Sequence, residues 1–199
     1  MNAPAATVPA AIVPAAIVVG CSTGGLDALR TLLGGLDPRL PQAVVVCSHT
    51  AAETAELLCG LLTHVAPLPV AEAAERQSVR GGVIHVAPSG YHLLVERDGR
   101  FALSVDPRVQ HARPSIDVLF ESAAETWGAA LVGVILTGAN ADGAEGLRAV
   151  RRAGGVAVVQ APEDAQAAAM PLAALDLAGA DHCLPLPAIA PLLNRLCLP

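Results

Sequence analysis

Three residues that could carry out acyl transfer follow three separate apolar segments of the sequence. Ser22 lies in the glycine-rich turn GCSTGG, His49 follows the run AVVVCS, and Asp142 lies in TGANADG, which follows LVGVIL. A serine hydroxyl becomes nucleophilic when a neighbouring base removes its proton, and that base needs an acid that orients it. Serine, histidine and aspartate are therefore the residue types of a hydrolytic triad, provided that the fold brings them together.

Alternating strand and helix patterns predict the elements that would position these residues. Near-continuous apolar runs predict buried strands, and apolar residues at helical spacing predict the helices between them. The predicted strands cover 16–20, 43–48, 83–87, 93–96, 101–105, 131–136 and 156–160, with a short strand near the end of the chain. The predicted helices cover 24–34, 51–63, 117–126, 143–153, 170–178 and 188–197.

Strands that are apolar throughout and alternate with helices form parallel sheets covered on both faces. The pair Asp98-Gly99 is typical of a hairpin turn. We therefore expect an α/β fold, with a single doubly wound, mainly parallel sheet, helices on both faces and an antiparallel hairpin insertion.

Such a fold would bring the three residues to one edge, because right-handed crossovers place every strand-to-helix loop at the carboxyl edge of the sheet. Each residue also has a structural alternative. Ser22 or Thr23 could cap the helix at 24–34, His49 could form an ordinary hydrogen bond at its strand end, and Asp142 could cap the helix that follows it. The residues alone leave the catalytic and the structural interpretations open.

The glycine-rich turn does not fit a nucleotide-binding loop. A P-loop requires a lysine that reaches the phosphates, and all 12 basic residues of this sequence are arginine. A dinucleotide-binding fold requires an acidic residue at the end of its second strand, where this sequence has Ser48 and His49. The G-x-S-x-G elbow is also absent, and the order serine, histidine, aspartate differs from that of α/β-hydrolases and subtilisin-like proteases.

Composition predicts one compact domain that binds no nucleic acid. The 199 residues are 53% hydrophobic and 15% charged, which suffices for a sizeable core. A net charge of −6 argues against a nucleic-acid surface. The five cysteines contain no C-x-x-C pair, which indicates reduced thiols in the cytoplasm rather than disulfides or a zinc site. No apolar run long enough for membrane insertion is free of proline and glycine. We expect a flexible tail at 1–14 and a single domain at 15–199.

Six segments resemble the bacterial chemotaxis-receptor methylesterases (CheB, protein-glutamate methylesterase) in order and approximate spacing. They are VVGCSTGGLDAL, VVVCSHT, IHVAPSGYHLLV, RPSIDVLFESAA, ILTGANADGAEGLRAVRRAGG and MPLAAL, and the resemblance covers about residues 15–197. It implies a doubly wound catalytic domain that hydrolyses glutamyl methyl esters and often deamidates glutamines, without a metal or an organic cofactor. The implied partners are the cytoplasmic helices of methylated chemoreceptors and, as a further candidate, a receiver domain on a separate chain.

The resemblance also assigns roles to particular residues. It implies that Ser22 is the nucleophile, His49 the base and Asp142 the orienting acid. The oxyanion region of the family corresponds to Thr23 and Ala139, where a backbone N–H would serve whatever the side chain.

The sequence departs from the family pattern around these residues. Full-length members usually carry an N-terminal receiver domain, for which the residues before the first strand leave no room, so we expect a stand-alone form. The altered positions are Ser48, Thr50 and Ala51 beside the base, Ala139 and Asn140 in the acid loop, and Ala169 and Leu172, which replace a glycine and an arginine. These changes keep two alternatives open: a degenerate homologue that only binds receptors or a signalling partner, and a serine esterase with another substrate.

Four further residues have predicted positions. We expect Cys21 to point away from the site, His85 to be structural, and Asp117 to cap a helix or form a structural hydrogen bond. His92, which follows a turn, is a weaker candidate for the cleft.

Overall fold

The described part of the chain alternates strands with helices. The computed structural model describes residues 12–49 and 55–198. Its strands are β1 (Ala16–Cys21), β2 (Ala43–Ser48), β3 (Val70–Glu72), β4 (Ile84–Val86), β5 (His92–Val95), β6 (Phe101–Ser104), β7 (Leu131–Ile135), β8 (Val156–Gln160) and β9 (His182–Leu184). Its helices are α1 (Gly25–Gly34), α2 (Ala55–Thr63), α3 (Ile116–Trp127), α4 (Ala144–Arg152), α5 (Ala169–Leu177) and α6 (Leu186–Cys197), with one 3-10 turn at Gly128–Ala130. Residues 1–11 of the predicted tail, Thr50 and Ala51 lie outside the described residues. Within the two described ranges, no helix combines the length and the apolar character needed to cross a bilayer.

A seven-stranded parallel sheet runs through the molecule in the order β3-β4-β2-β1-β7-β8-β9. Every neighbouring pair in it is parallel, whereas β5 and β6 form a separate antiparallel hairpin. The predicted fold class is therefore confirmed. The sequence analysis predicts no strand at β3, because a three-residue edge strand is too short to show an alternating pattern.

The core lies in two layers, one on each face of the sheet. Ile17 and Val19 pack in the layer beneath α1, α2 and α6, whereas Ala16 and Val18 pack in the layer beneath α3, α4, α5 and the hairpin. All four side chains are fully buried, because successive residues of a strand point to opposite faces and both faces are covered. Polar side chains that must reach a ligand are therefore confined to the ends of the strands.

Strand β1 is the point at which the chain changes direction across the sheet. It pairs with β2 on one side and with β7 on the other. In open α/β sheets the loops that leave such neighbouring strands diverge at the carboxyl edge and open a crevice there, which is where ligands bind. The three predicted triad residues follow these three strands.

Helices α3 and α4 pack closely because residue 146 of α4 has no side chain. A Cβ atom on Gly146 would lie 2.6 Å from Cβ of Phe120 and 3.0 Å from Cα of Asp117. Real Cβ atoms do not approach other atoms so closely, so any larger residue would push the helices apart. The glycine thereby keeps the N-terminal turns of α3 and α4 side by side.

We expect Gly146→Ala to lower the free energy of unfolding by about 1–3 kcal/mol, because overpacking outweighs the roughly 1 kcal/mol by which alanine favours a helix interior. Thermal unfolding should show Tm falling by about 2–4 °C per kcal/mol lost. Gly60→Ala in α2 is the matched control. No described atom outside its own helix lies within 4 Å of a Cβ on Gly60, so we expect no loss of stability there. Equal Tm values for the two variants would contradict the close packing of α3 and α4.

Candidate active site

A cavity of about 440 Å³ opens at the carboxyl edge of the sheet, beside the loops after β1 and β2. Ser22 and His49 both line it. Its apolar part is formed by leucines of α1 and α2, and the other lining residues are small or polar. The leucines are Leu26, Leu57, Leu58 and Leu61, and the others are Gly24, Gly25, Asp27, Ser48 and Gln166. Across the described ranges, no set of three His, Cys, Asp or Glu side chains is gathered as metal ligands would be.

A tight turn leaves Ser22 partly exposed at the end of β1. The Ser22 N–H donates to the Thr137 carbonyl at 2.9 Å, which ties the turn to the end of β7. Gly24 then caps α1 with a φ of 78°, a left-handed conformation that glycine adopts without steric cost. A Cβ on Gly24 would also lie 2.5 Å from Oε1 of Gln166. Capping of α1 by Ser22 or Thr23 is therefore the wrong interpretation, since Gly24 is the N-cap and no side chain bonds there.

Cys21 precedes Ser22 but points into the core, where it is fully buried. Burial raises the pKa of the Cys21 thiol to about 11, although a hydrogen bond with Ser48 lowers it in part. The thiolate is the reactive form of cysteine, and a raised pKa suppresses it at neutral pH. The prediction that Cys21 points away from the site is confirmed.

His49 and Asp142 form a direct hydrogen-bonded pair. The Nε2–H of His49 donates to Oδ2 of Asp142 at 2.7 Å, and the Asp142 side chain is 0% exposed. Because the carboxylate accepts from Nε2, the neutral imidazole carries its proton there and Nδ1 is its basic nitrogen. Ser22 lines the same cavity as His49, and within the described residues no hydrogen bond joins their side chains.

Asp142 caps α3 rather than the helix that follows it. Its Oδ1 accepts from Oγ–H of Ser115 at 2.8 Å and from the Asp117 N–H at 3.0 Å, and its Oδ2 accepts from the Ile116 N–H at 2.7 Å. A helix N-terminus favours negative charge, because its free N–H groups point at the anion. The predicted alternative of a cap on α4 is wrong, since the N-cap of α4 is Gly143 and no side chain bonds there.

These hydrogen bonds keep Asp142 ionised. Burial by itself raises the pKa of Asp142, because it removes water from the charged form. The hydrogen bonds from His49, from the Ile116 and Asp117 N–H groups and from Ser115 outweigh burial and hold the pKa below its ordinary value. The carboxylate is therefore a fixed negative charge against the imidazole.

Asp117 caps α4 in return. Its Oδ1 accepts from the N–H groups of Gly143 and Gly146, both at 2.8 Å. The predicted capping role is confirmed, although Asp117 caps the neighbouring helix and not its own. Burial raises the pKa of Asp117 to about 7, and the adjacent Asp142 carboxylate adds to that increase.

The backbone N–H groups of Thr23 and Ala139, which the resemblance assigns to the oxyanion region, lie in the loops after β1 and β7. Among the described residues, the amides of Thr23 and Ala139 donate to no acceptor, whereas Gly138 N–H donates to the Ala167 carbonyl at 3.0 Å. The Thr137 hydroxyl donates to the Thr23 carbonyl at 2.9 Å and accepts from the Ala167 N–H at 2.8 Å. This hydroxyl therefore ties the turn at Ser22 to the segments that surround the acid loop.

The two buried histidines near the hairpin are structural. His92 is 1% exposed and lies outside the cavity, so its weaker candidacy for the cleft is not borne out. Its Nδ1 accepts from the Ser115 N–H at 3.2 Å and its Nε2–H donates to the Pro107 carbonyl at 3.1 Å, so it supports the serine that bonds Asp142. His85 packs edge-on against Phe101, and burial lowers the pKa of His85. Both observations agree with its predicted structural role.

Ser115 and Gln166 are among the residues of the site that the sequence does not predict. Ser115 bonds Asp142, and the available signal was its place in RPSIDVLFESAA, one of the segments that carry the family resemblance. Gln166 lines the cavity from an irregular segment after β8, where no periodicity or motif marks it.

The raised pKa of Asp117 makes stability depend on pH. A carboxyl group whose pKa is raised by folding contributes stability that is complete below its unfolded pKa, about 4, and is lost as pH rises through about 7. Asp117→Asn keeps a carbonyl oxygen for Gly143 and Gly146 and cannot ionise. We therefore expect the Tm of Asp117→Asn, relative to the unaltered protein, to increase between about pH 5 and about pH 8 in calorimetry. A Tm difference that does not change with pH would contradict this origin of the shift.

Comparison with known proteins agrees with the geometry. Residues 17–193 match the family model described as CheB methylesterase. The chain is 42% identical to a putative protein-glutamate methylesterase/protein-glutamine glutaminase of Leptospira interrogans, over 89% of this chain and 92% of that protein. It is 39% identical to the protein-glutamate methylesterase/protein-glutamine glutaminase of Symbiobacterium thermophilum, over 89% of this chain and 49% of that protein.

A solved structure has the same fold. The catalytic domain of the Thermotoga maritima CheB methylesterase superposes with a TM-score of 0.89 and 29% identity, covering 92% of this chain and 98% of that one. The resemblance that the six sequence segments indicate is thereby confirmed. The family model matches residues 17–193, which is most of this chain. The chain therefore belongs to the CheB methylesterase family.

Proposed function

We propose that this chain is a protein-glutamate methylesterase in which Ser22 is the nucleophile, His49 the base and Asp142 the acid that orients the base. Relatives in Leptospira interrogans and Symbiobacterium thermophilum are named protein-glutamate methylesterase/protein-glutamine glutaminase, which supports this activity. The observation that carries the proposal is the 2.7 Å bond between His49 and Asp142, beside a cavity that Ser22 and His49 line.

The acylation step begins at the Ser22 hydroxyl. Nδ1 of His49 takes the hydroxyl proton while Oγ forms a bond to the carbonyl carbon of the ester, which gives a tetrahedral oxyanion. The imidazolium that results is stabilised by the ionised Asp142 at Nε2. In chymotrypsin the aspartate holds Nδ1 and Nε2 faces the serine. In this chain the aspartate bonds Nε2 instead, which leaves Nδ1 as the nitrogen that would act on the serine.

The oxyanion would be held by the free N–H groups of Thr23 and Ala139. Each such donor contributes about 3–4 kcal/mol to the transition state, because it is already oriented before charge develops. A backbone donor at position 139 functions with an alanine as well as with any other residue except proline.

Breakdown of the tetrahedral species releases methanol. The imidazolium of His49 gives its proton to the methoxy oxygen, the carbon–oxygen bond to that group breaks, and a glutamyl ester of Ser22 is left. Water, activated by Nδ1, then hydrolyses this ester to a glutamate side chain and free Ser22. With a glutamine substrate the same sequence releases ammonia, which accounts for a deamidase activity at the same site.

The cavity is suited to a side chain with methylene groups and an uncharged end. Leu57, Leu58 and Leu61 line it next to Ser22, so the glutamyl methylenes and the ester methyl would lie against apolar surface. The partners that we infer are the methylated cytoplasmic helices of chemoreceptors. A receiver domain on a separate chain, the cytoplasmic location and the extent of the domain over 15–199 stay predictions.

We expect Ser22→Ala to reduce methanol release from methylated receptor by a factor of about 10⁴ or more, because the remaining groups cannot form the acyl intermediate. Methanol is measured under single-turnover and steady-state conditions. Receptor capture by Ser22→Ala without methanol release is also expected, since the cavity is retained. Equal methanol release by Ser22→Ala and the unaltered protein would refute the assignment of the nucleophile.

A fluorophosphonate probe tests the same serine without receptor. Ser48 is the matched control, because it lines the same cavity but is buried and bonded to Cys21. Labelling is expected in Ser48→Ala and absent in Ser22→Ala. An unaltered protein that takes up no label would favour the alternative of a receptor-binding homologue without catalytic activity.

A further inference from the structure

Two buried aspartates connect the candidate base to the N-termini of two helices. Asp142 holds His49 and caps α3, and Asp117 belongs to the first turn of α3 and caps α4. The Asp117 N–H also donates to Oδ1 of Asp142 at 3.0 Å. Asp117 itself does not line the cavity, so it reaches the reacting atoms only through Asp142.

We propose that Asp117 is a positioning residue for His49, because it holds the peptide that follows Asp142 and so fixes the carboxylate that bonds the imidazole. The inference rests on the proposed function, in which His49 becomes an imidazolium during the reaction. It extends that function to a residue of α3 that does not line the cavity. Two successive hydrogen bonds, through Asp142, link this residue to His49.

The hydrogen bonds of Asp117 end on the segment that carries Asp142. Gly143 directly follows Asp142 in the chain, and its N–H donates to Oδ1 of Asp117 at 2.8 Å. Gly146 donates to the same oxygen at 2.8 Å from one turn further along α4. Asp117 therefore fixes the backbone that follows Asp142, and with it the point from which the Asp142 side chain reaches His49.

The test compares kcat and KM for methyl-ester hydrolysis in Asp117→Ala, in Asp117→Asn and in the unaltered protein. Alanine removes the acceptor for Gly143 and Gly146, whereas asparagine keeps a carbonyl oxygen there. We expect kcat to fall about tenfold in Asp117→Ala with KM unchanged, and to stay within about twofold of the unaltered value in Asp117→Asn. Asp176→Ala on the exposed surface of α5 is the control for loss of one carboxylate, and its kcat should be unchanged.

Two outcomes would overturn the proposal. The first is a kcat of Asp117→Ala that equals that of the unaltered protein. The second is a loss of activity that follows only the fraction of unfolded protein, which would indicate a purely structural role. Asp117→Ala, which also loses both caps, should have a lower Tm and a lower kcat than Asp117→Asn.

A second readout keeps this inference separate from the proposed function. The NMR signal of the hydrogen-bonded Nε2 proton of His49, recorded in the unaltered protein, in Asp117→Asn and in Asp117→Ala, needs no substrate. The signal should move upfield or broaden in Asp117→Ala, because the bond to Asp142 is weakened, and stay in place in Asp117→Asn. If methanol release is absent altogether, the proposed function fails, and an unchanged signal in Asp117→Ala would then independently refute the role of Asp117.

Discussion

The carboxylate of Asp142 serves two elements at once, since it closes the N-terminus of α3 and holds the imidazole of His49. Each hydrogen bond that keeps this buried charge ionised also fixes its direction. A buried carboxylate without such partners would take up a proton and would lose its ability to stabilise an imidazolium. The helix N-terminus and the candidate base therefore depend on the same two oxygen atoms.

The rest of the fold makes this arrangement possible. The parallel sheet brings the ends of β1, β2 and β7 to one edge, and Thr137 connects the turn after β1 with the segments beyond β7. The two helices that flank Asp142 approach closely because Gly146 lies at their contact. With few aromatic residues in the chain, small aliphatic and glycine contacts carry the packing that aligns the two helix N-termini.

The departures from the family pattern lie mostly around the buried pair and not within it. Ala139 can contribute its backbone N–H irrespective of its side chain. Ser48 is turned towards Cys21, and Leu172, where the family has an arginine, is 55% exposed. These positions alter what surrounds the cavity and the surface near it, whereas the bonds of Asp142 are made by Ser115 and by backbone groups of α3. The departures at the described positions therefore leave the His49–Asp142 bond in place.

The amino-acid sequence by itself determined the fold class and the strand ends that carry Ser22, His49 and Asp142, because strand and helix periodicities and the direction of crossovers are local properties. It also identified Asp117 as a capping residue, although the helix that it caps could not be predicted. Only the tertiary structure decided which carboxylate caps which helix, that His92 supports Ser115 from outside the cavity, that Gln166 reaches the turn at Gly24, and that Nε2 and not Nδ1 of His49 meets Asp142. These are contacts between residues far apart in the chain, and no local pattern encodes them.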